Sequence, residues 1–382
     1  MKICYIASGS DHYTGYQIYG FMLCCALREI GHDVEYITDS PPIFLNDFEH
    51  LYLLPTIKLA NIFDEGTVIA DDFDVIISAP IYGTGLGISH MKFNEAKLYH
   101  HLCEEPGFVM SNDERRRPFD GDLHPIYQRI RDRLVNNGDG VILAHPFFVP
   151  SFKKWVGDGY DGDILTISPC INERAITRMV NRGKDNMICV SRNAPHKRLS
   201  HLIHVLKGNP SLTLTLITNE GESIRRMAAS EGCLSRLTIY HALNDEEKYA
   251  AIMESVAVIS PSMYEGFGMS LLDAFASGRP FIGYDIEPYK AITNEKGVYL
   301  SFPDKPDVLA QTVSKVLDEK PGVYAEKCKE GRNLYMKYSF NEMVARCREQ
   351  FPVKDGDNKV KTAVSVPFTT ELFTDGVVLE EL

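Results

Sequence analysis

The sequence predicts an α/β protein built from two doubly wound domains. Three observations predict it. Short apolar runs alternate with segments of helical period along most of the chain, the opening unit is a strand, a glycine-bearing loop, a helix and a second strand, and the alternation restarts after Ser168-Pro169-Cys170-Ile171. The length of 382 residues is also too great for one ordinary core, since domains usually run about 100–200 residues.

The first strand is Ile3-Cys4-Tyr5-Ile6-Ala7, followed by a small, polar loop holding Gly9 and Gly15. Ile18, Phe21, Met22, Cys25 and Ile30 then recur at helical spacing, and Gly31 stands where a helix ends. Asp33–Thr38 is the next strand, which completes a βαβ unit and implies a parallel sheet with right-handed crossover. Further strands are expected at Asp74–Ala79, Gly107–Ser111, Gly140–Ala144 and Asp163–Ile167, with a helix near Ile126–Val135. In the second half, strands fall at Asn186–Ser191, Leu212–Thr218, Thr238–Tyr240, Val256–Ser260 and Phe281–Tyr284. Between them lie a helix striped by Leu199, Leu202, Ile203 and Leu206, another at Ser223–Ser230, and one that begins near Asn244. Asn244 with Glu247 three residues on has the form of a capping box. A helix follows from Val308 to Leu317, with Pro306 near its start, and a last helical region covers Asn333–Phe351. The expected domains are 1–170 and 171–335, with a return helix over 336–351 and a tail over 352–382 that is either an added strand or loose.

Composition narrows the functional classes. With 44% hydrophobic residues the chain has ample core-forming material, and a formal net charge of −12 counts against a general affinity for nucleic acid or an anionic membrane. The charge is unevenly placed. Residues 1–170 hold 13 Lys+Arg against 24 Asp+Glu, while residues 171–382 hold 27 against 28, so cations for a polyanionic ligand concentrate in the second half. Nine cysteines, odd in number and without a C-x-x-C pair, read as reduced core thiols rather than a disulfide framework or zinc site. No stretch reaches about 18 apolar residues, and the opening apolar run is too short for a signal segment. A cytoplasmic protein with at most peripheral membrane association is expected.

The chemistry concentrates in two passages. The first is Ser260-Pro261-Ser262-Met263-Tyr264-Glu265-Gly266-Phe267-Gly268-Met269-Ser270-Leu271-Leu272-Asp273, which reads as a strand, a loop with two glycines, and a helix from about Met269. Glycines let a backbone approach a ligand closely, and the free N–H groups of a helix start form an anion site. Glu265, just before those amides, suits neutral hydroxyls better than phosphate, and Asp273, eight positions on, can serve the hydroxyls of a ribose. A tight turn followed by a solvated Asp273 accounts for the same residues when the G-x-G is taken alone. The second passage is Ser191-Arg192-Asn193-Ala194-Pro195-His196-Lys197-Arg198, again after a strand and before a helix. Its loop should lie on the same sheet edge as the Glu265 loop. Arg192 and Lys197 can neutralise a diphosphate there, Arg as a fork and Lys as a point charge, or stand as solvated loop cations.

Taken together the two passages resemble the retaining GT-B glycosyltransferases of family 4. Ser191-Arg192 with Lys197 matches that family's Gly/Ser-Arg-x4-Lys segment, and Pro261-Ser262 through Pro280 matches its E-x7-E segment at the same offsets. The resemblance implies two facing domains of the GT-B fold, with a C-terminal helix returning to the first. It also implies transfer of a sugar from a nucleoside diphosphate, UDP or GDP, to an acceptor hydroxyl with retention of anomeric configuration. Arg192, Lys197 and Glu265 become the catalytic group. Gly15, Gly266, Phe267, Gly268, Met269, Ser270 and Asp273 surround the donor, with the base read near Asn219 and Leu243. No metal or cofactor is implied, and Asp355-Gly356-Asp357 lies in the tail. The acceptor is expected to be a glycan, lipid-linked saccharide or small molecule bound by the first domain, with Asp113, Glu114 and His145 as its candidate contacts.

Two residues depart from the family pattern. Asp273 replaces the usual second Glu, shortening its reach by one methylene, and Asn112-Asp113 stands where relatives often carry His before an acid. His90, His100 and His101, near an expected helix, and the cationic run Arg115-Arg116-Arg117 are further acceptor-side candidates or ordinary solvated residues. A non-catalytic nucleotide-sugar-binding subunit, an epimerase and a phosphorylase are the rival readings, the last lacking any pyridoxal-lysine motif.

Overall fold

The computed structural model describes residues 1–7, 15–60, 73–79, 96–103, 124–176, 185–241 and 243–353. The expected strand at 107–111, His90, Asn112, Asp113, Glu114, the run 115–117 and the tail beyond residue 353 lie outside the described residues.

Two parallel sheets organise the molecule. In the first, β1 (Lys2–Ala7), β2 (Asp33–Thr38), β3 (Thr56–Leu59), β4 (Val75–Ser78), β5 (Lys97–Leu102), β6 (Gly140–Leu143) and β7 (Ile164–Thr166) stand in the order β3-β2-β1-β4-β5-β6-β7. Every pairing is parallel, for example Ile3 opposite Val34 on one side and Val75 on the other. Burial on both faces requires continuous apolar strands, and β1 obliges from Ile3 to Ala7. Helix α1 (Gly15–Glu29) crosses from β1 to β2 with eleven consecutive buried residues, Gln17 to Leu27, so it is enclosed rather than laid on the surface. Helices α2 (His124–Asn137) and α3 (Val149–Val156) flank the far strands.

The second sheet contains β8 (Asn186–Val190), β9 (Thr213–Ile217), β10 (Leu237–Tyr240), β11 (Ala257–Ser260), β12 (Phe281–Tyr284) and β13 (Val298–Ser301), in the order β10-β9-β8-β11-β12-β13. Around it run α4 (His201–Gly208), α5 (Glu222–Ser230), α6 (Asp245–Met253), α7 (Met269–Ala276), α8 (Glu287–Thr293), α9 (Pro306–Leu317) and α10 (Pro321–Tyr335). The capping box expected at Asn244 is present in both directions: the Glu247 N–H donates to Asn244 Oδ1 at 2.8 Å and the Asn244 N–H to Glu247 Oε2 at 3.1 Å.

Strand order supplies what the linear pattern lacks. In the second sheet β9 and β10 extend one way from β8, while β12 and β13 extend the other way from β11. The loops after β8 and β11 therefore stand side by side at the point where the winding reverses, where open α/β sheets bind ligands. Those are the loops of Arg192 and Glu265.

The chain returns at its end. Helix α11 (Phe340–Gln350) packs along α1 of the first domain. The Phe351 carbonyl lies 2.8 Å from His32 Nε2, and the Phe351 ring meets Tyr99 at 5.7 Å. Three successive residues of the interdomain connector are also tied down. The Asn172 amide donates to the Asp47 carbonyl at 2.9 Å, Tyr335 donates to the buried carboxylate of Glu173, and the Arg174 guanidinium lies over Tyr52 and Phe340 at 4.6 and 5.0 Å.

His100 and His101 correct the sequence reading. They lie within β5 rather than near a helix, and both are buried. His100 faces Asp139 at 3.1 Å, while Tyr5 Oη meets His101 Nδ1 at 2.8 Å. Desolvation lowers the pKa of His101 to about 3, so it serves as a neutral core residue.

Candidate active site

The Arg192 loop leaves β8, and its backbone is held by its neighbours. The Ser191 N–H donates to the Ile217 carbonyl at 3.0 Å, and the Asn193 N–H to Asn219 Oδ1 at 3.1 Å. Asn219, named at sequence level for the base, thus braces this loop from the end of β9. Pro195-His196-Lys197 form a single 3-10 turn, closed by Arg198 in the left-handed region at φ 48°. Arg198 Nε lies 3.3 Å from Asp304 Oδ1, which anchors the turn to the loop after β13.

The two loops are joined directly. The Met263 N–H donates to the His196 carbonyl at 2.8 Å. One step further out, Lys197 Nζ lies 2.7 Å from Glu265 Oε2, with both side chains largely buried. Glu265 is also approached by Tyr289 Oη, 3.4 Å from Oε1. His196, between the two cationic positions, is buried and neutral: desolvation first, then Lys197, Arg192 and Arg198, push its pKa down to about 2.

Gly268 is the residue before α7 and takes φ 105°, a conformation that L side chains rarely adopt. It also presses on Tyr289, whose ring carbon would lie 2.7 Å from any Cβ placed there. Gly266 and Phe267 are buried beside it, and Met269 and Ser270 open the helix half-exposed. The first domain faces this point. Gly15 begins α1, and a Cβ on it would lie 2.7 Å from Met269 Cγ, so the starts of α1 and α7 abut across the interdomain boundary.

His145 follows β6 and reaches the same boundary. Its Nδ1 accepts from the Phe147 N–H at 3.1 Å, which leaves the proton of the neutral ring on Nε2, 3.4 Å from Tyr338 Oη. Burial lowers its pKa. Phe267 packs against both rings, at 6.1 Å from His145 and 5.4 Å from Tyr338. Leu243 is half-buried just before α6.

Asp273 is placed differently from a solvated helix residue. It is 5% exposed, and its Oδ1 lies 3.6 Å from Lys248 Nζ on α6. Lys248 meets Asp245 more closely, at 2.7 Å, and Asp245 Oδ2 accepts from the Asn172 amide at 2.8 Å. Burial disfavours the ammonium, but Asp245 and Asp273 outweigh it and raise the pKa of Lys248. Desolvation first of all raises that of Asp273, against the pull of Lys248, with Asp245 adding to the rise.

The structure thus brings the loop of Arg192 and Lys197 against the segment that carries Glu265, Gly266, Phe267, Gly268, Met269 and Ser270, with Gly15 meeting Met269 and His145 meeting Phe267 from the first domain. Sequence reasoning missed Lys248, Asp245, Asn172, Tyr289 and Tyr338. Lys248 stands three residues after Asp245 in the capped helix, which signals that pair, but nothing local aims it at Asp273.

Residues 176–333 match the family described as "Glycosyl transferases group 1". Over 343 residues the chain is 24% identical to the O-antigen chain mannosyltransferase RfbU of Salmonella typhimurium, covering 86% of this chain and 93% of that one. The fold is similar to that of sucrose-phosphate synthase from Thermosynechococcus elongatus, with TM-score 0.74, 16% identity, and 92% and 98% of the two chains covered. It is also similar to that of HepE from Anabaena, solved in complex with UDP and glucose, with TM-score 0.71, 14% identity, and 92% and 99% covered.

Proposed function

We propose that this chain, whose residues 176–333 match the group 1 glycosyl transferases, moves a sugar from a nucleoside diphosphate to an acceptor hydroxyl, with retention at the anomeric carbon. The observation that supports the reading most is the meeting of two cationic positions, a carboxylate and a glycine-led helix start at the switch point of the second sheet, with Lys197 Nζ 2.7 Å from Glu265 Oε2.

In this reading Arg192 and Lys197 take the two phosphates, and the amides of Gly268, Met269 and Ser270 add hydrogen bonds and the positive end of a helix dipole. The transition state places negative charge on the departing diphosphate, so fixed cations in a partly desolvated crevice supply the main catalytic effect. The Lys197 ammonium has three donors, enough to keep Glu265 while contacting a phosphate oxygen. Glu265 accepts from hydroxyls of the donor sugar, and Asp273 from those of the ribose. Retention follows from same-face displacement, in which the leaving phosphate accepts the proton of the attacking hydroxyl. No metal is needed in this scheme, since Arg192, Lys197 and the helix start neutralise the leaving group.

The acceptor lies toward the first domain, near His145. The acidity of residues 1–170 favours a neutral glycan, a lipid-linked saccharide or a small molecule over nucleic acid. The O-antigen role in the name of RfbU and the UDP and glucose bound by HepE support a glycan product and a nucleotide-sugar donor, with UDP or GDP as the nucleotide. We place the protein in the cytoplasm; no helix among the described residues is long and apolar enough to cross a membrane.

The test is a thermal-shift screen with UDP, GDP and ADP, since a ligand that binds only the folded chain raises its stability by mass action. The nucleotide that binds is then supplied as its hexose conjugates, and the anomeric proton of the product is followed by NMR. Absence of any nucleotide response sinks the reading; an inverted product sinks the retaining mechanism alone.

A further inference from the structure

We infer that Lys248 is a positioning residue for the donor nucleotide, acting through Asp273. The inference rests on the assignment of Asp273 to the ribose hydroxyls and deepens it.

Asp273 sits on the first turns of α7, buried and one methylene shorter than a glutamate at the same place. A short buried carboxylate cannot search for its ligand; its direction is set by what it touches. Its charged neighbour is Lys248, at 3.6 Å from Oδ1, which arrives from a different helix. Lys248 is itself gripped by Asp245 at 2.7 Å, and Asp245 by the Asn172 amide at 2.8 Å. The ammonium is therefore not a mobile surface cation but a fixed point between two carboxylates.

The charge count explains why it matters. Two buried carboxylates share one ammonium, so the cluster favours taking up a proton. Desolvation, with Asp245 adding to it, already pushes Asp273 in that direction, and Lys248 above all, with a hydrogen bond from Tyr249, pulls it back. A ribose hydroxyl donates to an ionised carboxylate far more strongly than to a protonated one. Lys248 holds Asp273 ionised and turned so that an oxygen remains for the ribose. Removal of the ammonium leaves Asp273 buried with no cation beside it, so that it protonates or turns away.

The same cluster touches the domain connector, because Asn172 also donates to the Asp47 carbonyl of the first domain at 2.9 Å. The ribose site is thereby braced against the segment on which the two domains are hung.

The experiment compares nucleotides that differ only at the ribose. Calorimetry with UDP, GDP and ADP selects the diphosphate bound most tightly, which is then measured beside its 2′,3′-dideoxy form. The native protein is expected to prefer the ribonucleotide by about tenfold or more, the strength of a hydrogen bond to a charged group. Lys248→Met should abolish that preference while the dideoxy form binds within about threefold of its native affinity, because the phosphate contacts do not pass through Lys248. Lys248→Met can also unfold the chain by leaving two carboxylates unpaired. The double variant Lys248→Met/Asp245→Asn removes that repulsion and should likewise lose the preference. General loosening of the fold would weaken both nucleotides equally. A native-like preference in a folded variant lacking Lys248 overturns the proposal. A native-like preference in Asp273→Asn would instead show that Asp273 does not read the ribose, which removes the reading beneath it.

Discussion

Lys197 and Glu265, 68 positions apart in sequence, form an ion pair of 2.7 Å between the two loops that follow β8 and β11. The pair joins the residue assigned to the leaving group with the residue assigned to the sugar. Each side chain holds the other in place, so the two roles are coupled.

Lys197→Ala should lower kcat/KM by roughly tenfold or more, the effect of removing one charge that stabilises a transition state. Glu265→Gln should lower it as well. Because the residues touch, the double variant should lose less than the two single losses combined, with a coupling of about 0.5–3 kcal/mol. Steady-state kinetics of the four proteins measures that coupling, and strict additivity would show that the pair has no functional link.

Gly15→Ala should impair turnover with little effect on the melting temperature of the chain. The added carbon would lie 2.7 Å from Met269 Cγ, a contact between the domains rather than within a core. Met269→Ala in the same chain should recover much of the loss. Failure of the second change to help would show that the damage arises elsewhere than at this contact.

Gly268→Ala should both destabilise the protein, by about 1–3 kcal/mol, and abolish activity. The residue has φ 105°, and a Cβ would meet the Tyr289 ring at 2.7 Å. Urea denaturation reads the first effect and donor turnover the second. Full activity in this variant would mean that the helix start need not keep its shape.

Stability should fall on acidification below neutral pH. His101 is neutral and desolvated in the fold, with its pKa lowered to about 3 from an ordinary value near 6.5. Between those values the unfolded chain binds the proton and the folded chain does not, so stability rises with pH across the window and is lost as pH drops through it. This residue alone should make the protein about 2 kcal/mol less stable at pH 5 than at pH 7. His101→Asn retains an acceptor for the Tyr5 hydroxyl and should reduce the difference in unfolding free energy between pH 5 and pH 7, read by urea denaturation, by about that much. An unchanged pH profile would show that His101 is protonated inside the fold.

Much of the fold was legible because it is written locally. The run Ile3–Ala7, the stripe from Ile18 to Ile30 and the turn at Gly31 each lie within a few residues, and periodicity reports which side chains are enclosed. The Asn244–Glu247 capping box formed as read, since both partners belong to one helical turn. Other elements escaped. The edge strand Thr56–Leu59 is mostly exposed and carries Lys58, so no apolar run announces it. His100 and His101 interrupt the apolar pattern of β5, yet they are buried because Asp139 and Tyr5 reach them from elsewhere in the chain.

By itself the sequence determined two α/β domains, the strand–loop–helix passages around Arg192 and Glu265, and the glycines that let a helix start lie bare. Those properties follow from short-range sterics and period, which any window of the chain carries. Only the tertiary structure decided that β8 lies beside β11, that Lys197 therefore meets Glu265, and that Asp273 is buried against Lys248 rather than bathed in water. Strand order and interhelix contact depend on how distant segments share one core, and the burial that raises the pKa of Asp273 exists only once that core has closed.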